Sequence, residues 1–89
     1  MPYISKEMRA VYDDRIKQLV ETLQLGGTPS PGEVNYVISS IIWKLFDADC
    51  RYTTGNNLVG VLECVKQEFY RRQLAKLEDR KIIENGDII

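Results

Sequence analysis

An all-α fold is predicted by three features of this 89-residue sequence. A helix-start signature stands at Ser30-Pro31-Gly32-Glu33. Apolar residues recur at helical spacing in three separate segments. Turn-forming clusters, Gly26-Gly27 and the stretch from Asp47 to Asn57, separate those segments. Together they predict a single domain over residues 1–89, made of three helices with an apolar central helix, packed as an oligomer.

The first helix is expected from about Lys6 to Leu25. Ser5 is its N-cap, because a serine hydroxyl can accept a bond from a free N–H of the first turn. Met8, Val11, Tyr12, Ile16, Leu19, Val20 and Leu23 form one apolar stripe, with Arg9, Asp13, Asp14, Lys17 and Glu21 opposite. Gly26-Gly27 ends the helix, since glycine enters the left-handed region without a Cβ clash.

The second helix opens with Ser30 as N-cap and Pro31 at the first helical position, where a missing N–H costs nothing. Glu33 is placed to reach back to the Ser30 N–H and complete a capping box. Val34, Val37, Ile38, Ile41, Ile42, Leu45 and Phe46 follow at a period near 3.6, and Tyr36 and Trp43 widen the apolar surface. Lys44 is the one charge between Glu33 and Asp47, so this helix should be covered on more than one side.

The third helix is expected from about Asn57 to Glu84, capped by Thr54 or Asn56. Leu58, Val61, Leu62, Val65, Phe69, Leu74 and Leu77 supply its stripe. Gly60 inside it suggests a close approach of another helix. Asn85-Gly86 reads as the stop, and Asp87-Ile88-Ile89 as a short apolar tail suited to docking.

A chain of this length can build only a thin core. Further stability must come from a partner, a metal, a disulfide or very efficient packing. The sequence has no His, and two cysteines, Cys50 and Cys64, fall short of a four-ligand zinc set, so neither metal nor cofactor is expected. Both cysteines are expected as reduced thiols, Cys64 within the core. The start of the chain, Met1 to Glu7, lacks the apolar core of an export signal. The longest apolar region, Val34 to Phe46, is interrupted by Asn35, Ser39, Ser40 and Lys44. A cytoplasmic protein without a membrane partner is the expectation. The net charge of −1 disfavours nucleic acid.

Catalytic chemistry is thinly supported. Two adjacent acidic residues, Glu78-Asp79, diverge, and Glu63 and Glu68 lie about 140° apart around a helix. A Mg²⁺-dependent nucleotide phosphohydrolase, which needs converging carboxylates, therefore stands only as an alternative. Arg72, Lys76 and Arg80 share a face of the third helix, which raises nucleic-acid binding as a second alternative. Glu68, Glu78, Asp79 and Glu84 are interleaved, so that face reads better as salt-bridged surface, for example Glu68 with Arg72.

Three stretches, Gly32-Glu33-Val34-Asn35-Tyr36, Glu68-Phe69-Tyr70-Arg71-Arg72 and Lys81-Ile82-Ile83-Glu84-Asn85-Gly86-Asp87, make the sequence resemble a family of short bacterial and phage proteins of unknown function. The resemblance covers the chain from about residue 30 onward and implies no activity. It makes Asn35, Tyr36, Tyr70, Arg71, Arg72, Asn85 and Asp87 the candidate binding residues, gathered into one patch if the segment after Glu84 folds back. The expected function is non-enzymatic: an interaction or assembly protein that self-associates as a dimer or holds another protein. Tyr36, Trp43, Ile82, Ile83, Ile88 and Ile89 lie outside the main stripes and form the expected interface.

Overall fold

Ser5 and Ser30 each start a helix, as their side chains dictate. The computed structural model describes residues 3–89; Met1 and Pro2, the first residues of the segment read above for an export signal, lie outside the described residues. Helix α1 spans Lys6–Leu23, with Ser5 Oγ accepting the Met8 N–H at 3.2 Å. It stops short of Gly27, whose φ of 101° suits glycine alone. Helix α2 spans Pro31–Ala48. Ser30 Oγ accepts the Glu33 N–H at 3.2 Å and the Ser30 carbonyl accepts the Val34 N–H at 3.2 Å.

Helix α3 spans Tyr52–Phe69, passes into a π-helical turn at Tyr70–Leu74, and continues as α4, Ala75–Asn85. Phe69, Tyr70, Leu74 and Ala75 all keep right-handed helical angles, so α3, the π turn and α4 form one continuous helix. The Ala75 N–H reaches the Tyr70 carbonyl, five residues back, which marks the inserted residue. Gly86, at φ 86°, stops α4 and donates its N–H to the Ile82 carbonyl at 2.8 Å. The fold is all-α with the three predicted helical segments, and the described residues contain no strand. No described helix is long and apolar enough to cross a membrane.

The third segment begins at Tyr52, ahead of the expected Asn57, and neither Thr54 nor Asn56 caps it. Asp49 explains the early start. Its carboxylate accepts Arg51 Nε at 2.7 Å, Arg51 Nη2 at 2.8 Å and the Thr54 hydroxyl at 2.8 Å. That cluster closes the α2–α3 turn quickly and leaves Thr53 to Asn57 inside the helix.

The chain divides into two units, Met1–Ile41 and Ile42–Ile89. In the first, Leu23 of α1 and Val37 of α2 are half-buried. In the second, Ile42, Gly55 and Leu58 are half-buried, and a Cβ added at Gly55 would lie 3.4 Å from Phe46 Cε1. The close approach expected at Gly60 is therefore found at Gly55; a Cβ at Gly60 meets nothing within 4 Å.

No described side chain in either unit is buried. Val11 and Ile16 of the α1 stripe are 62% and 56% exposed, and Val65 and Phe69 of the α3 stripe 60% and 62%. The stripes form at the predicted spacing, and their side chains remain exposed.

Candidate functional site

The π turn coincides with Tyr70-Arg71-Arg72, one of the candidate binding stretches. Just before it, Glu68 is half-buried and pairs with both arginines. Arg71 Nη2 donates to Glu68 Oε1 and Oε2 at 3.2 Å each, and Arg72 Nη1 lies 3.5 Å from Oε2. The expected Glu68–Arg72 pair is present, with Arg71 added to it. Tyr70 points the other way along the helix and donates its hydroxyl to Glu78 Oε2 at 3.1 Å. That bond, followed by the Glu78 charge, holds the Tyr70 phenol above its ordinary ionisation range. Lys76 and Arg80 pair with no carboxylate among the described residues.

Asn35 and Tyr36 belong to the first unit. Asn35 Oδ1 accepts the Ser39 hydroxyl at 2.8 Å. Tyr36 is 73% exposed and, with Leu19, Leu23, Val37 and Glu33, lines an open groove of about 500 Å³. Only the Ser30 half of the capping box forms. The Glu33 carboxylate makes no hydrogen bond or ion pair among the described residues and stands at the groove instead.

Asn85 and Asp87 lie at the other end of the second unit. With Leu77, Lys81, Ile82 and Ile88 they border a shallow groove of about 430 Å³. The Asp87 carboxylate accepts the Ile88 N–H at 2.7 Å, and Lys81 pairs with Glu84 at 3.5 Å. The continuous helix carries Asn85 roughly 22 Å along its axis from Tyr70. Residues 86–89 can reach back no more than about 14 Å, so Asp87 does not join the Tyr70-Arg71-Arg72 stretch. Ile82, Ile83, Ile88, Ile89 and Trp43 are all exposed.

Cys50 and Cys64 are free and exposed; Cys64 is not the core thiol that its apolar neighbours suggest. Cys50 Sγ donates to the Asp47 carbonyl at 3.6 Å. No three of the described Cys, Asp and Glu residues gather as a metal site.

Sequence reasoning missed the π turn and the Asp49 cluster. A signal for the first was available: Phe69 and Leu74 stand five apart, whereas no other step in the stripe exceeds four. Asp49 left no comparable signal, because an acidic residue beside a connector is unremarkable in any chain.

The family model of a domain of unknown function, DUF6899, matches residues 1–88. No curated protein and no solved structure matches the chain.

Proposed function

We propose, from the premise that this chain belongs to the DUF6899 family, that it is a non-enzymatic assembly protein of the cytoplasm that folds stably by associating with a second copy of itself. The exposed apolar stripes carry this reading. Each large aliphatic side chain left open forgoes about 1.5–3 kcal/mol of burial. Helices of 18 residues have little stability of their own in water, and most helical stability comes from packing an apolar face. A second copy supplies the missing surface, and a two-fold dimer is the commonest way to arrange it. Tyr36, Trp43, Ile82, Ile83, Ile88 and Ile89 extend the apolar surface available for that contact, or for another protein.

The pairing of Arg71 and Arg72 with Glu68, and of Lys81 with Glu84, counts against a nucleic-acid role, since three of the five cations from Arg71 to Lys81 are already ion-paired. Light scattering at micromolar concentration tests the proposal. A mass of at least two chains is expected, and a folded monomer overturns it.

A further inference from the structure

The stripe on the long helix of the second unit has a symmetry that the sequence alone hides. Counting from Phe69, its residues are Val65 and Leu62 on one side, four and seven positions back, and Leu74 and Leu77 on the other, five and eight positions on. In a plain α-helix, Leu74 would sit about 140° around from Phe69. The π turn absorbs one residue, so Leu74 and Leu77 act as four and seven positions on, and Leu74 returns to within about 40° of Phe69. The stripe is thereby palindromic about Phe69. All five side chains are exposed, whereas Leu58, one turn before Leu62, is half-buried.

The charges along the same helix are polar from end to end. Tyr52–Phe69 carries −1, from Glu63 and Glu68 against Lys66. Tyr70–Asn85 carries +2, from Arg71, Arg72, Lys76, Arg80 and Lys81 against Glu78, Asp79 and Glu84. A parallel pair of these helices sets +2 beside +2. An antiparallel pair sets −1 beside +2 at both ends, and charge patterning of this kind fixes orientation in paired helices.

We infer that a second copy of this chain docks antiparallel along this helix, with the two Phe69 rings at the dyad, Val65 in the layer of the partner copy's Leu74, and Leu62 in the layer of its Leu77. The inference rests on the self-association proposed above and names the surface and orientation through which it occurs. It also gives the π turn a purpose: it keeps the seam straight across an inserted residue.

Two measurements test it. In light scattering, Phe69→Glu places two carboxylates at the dyad and yields monomer, whereas Cys64→Glu, on the far side of the same helix, leaves the dimer. The reverse result overturns the seam. For orientation, Leu62→Cys and Leu77→Cys are made separately in a Cys50→Ser, Cys64→Ser background and treated with a short bis-maleimide. Cross-linked dimer in the mixture but in neither protein alone is expected. Cross-linking of each protein to itself means a parallel pair and overturns the inference. An absence of cross-linking while the wild-type chain still scatters as a dimer overturns the seam but spares self-association. A wild-type monomer overturns both.

Discussion

The Tyr70 hydroxyl donates to the Glu78 carboxylate at 3.1 Å across the π turn. Eight residues separate the two, a spacing that meets on one face because the turn carries an additional residue. The bond stabilises the protonated phenol, so its ionisation is raised. A raised folded value means that the contribution to stability is complete below the unfolded tyrosine value of about 10 and is lost as pH rises through the folded value. In an alkaline titration followed by tyrosinate absorbance, Tyr70 is expected to ionise at higher pH than a free tyrosine. Tyr70→Phe should remove a component that ionises above the free-tyrosine range; an unchanged alkaline limb would contradict this bond.

How much of this was legible in the sequence differs by feature. Caps were readable because a serine followed by a free N–H is local chemistry: Ser5 and Ser30 both act as predicted. Stripe positions were readable from periodicity. The turn between α2 and α3 was not, because three side chains, Asp49, Arg51 and Thr54, decide it jointly. The candidate binding residues were proposed as one patch if the segment after Glu84 folds back, yet the continuous helix, whose stop at Asn85-Gly86 was legible, holds Asn85 too far from Tyr70 for the four residues after it to return.

Asp49 supplies an acid-side prediction. Its bonds from Arg51 first, and Thr54 second, hold the carboxyl below its ordinary range. A depressed folded value means the contribution is present above the unfolded aspartate value of about 3.9 and is lost as pH falls through the lower folded value. Asp49→Asn can still accept from Thr54 but loses the charge-assisted pair. Thermal melts of this variant should lose stability near neutrality and fall less steeply below pH ~4 than wild type. Parallel pH profiles for the two proteins would contradict the assignment.

Ser30 and Glu33 separate the two halves of a capping box. Ser30→Ala removes the bond to the Glu33 N–H and should cost about 1 kcal/mol in denaturant unfolding. Glu33→Gln should change stability by no more than about 0.5 kcal/mol, because its carboxylate has no bond to lose. Equal losses in the two variants would mean that the reciprocal bond forms in solution.

Gly55 and Gly60 lie in the same helix but in different surroundings. At Gly60 a methyl group meets open space, so Gly60→Ala should stabilise by about 0.5–1 kcal/mol through helix propensity. At Gly55 the same methyl lies 3.4 Å from the Phe46 ring, so the ring must give slightly and the gain should be smaller. Melting temperatures of the two variants rank them; a larger gain at Gly55 would contradict the Phe46 contact.

Trp43 is the only tryptophan, so its emission reports one place. It is 67% exposed in a single copy, on the helix with almost no charge. Self-association that uses α2 as well as the long helix must take this ring out of water. Its emission should therefore be blue-shifted at high concentration and move to the red on dilution, at the concentration where scattering shows the dimer dissociating. Red emission throughout, with scattering still at dimer mass, would confine the interface to the long helix and leave Trp43 in solvent. The two optical signals, read on one dilution series, thus distinguish an interface built on the second unit's helix from one that also recruits α2.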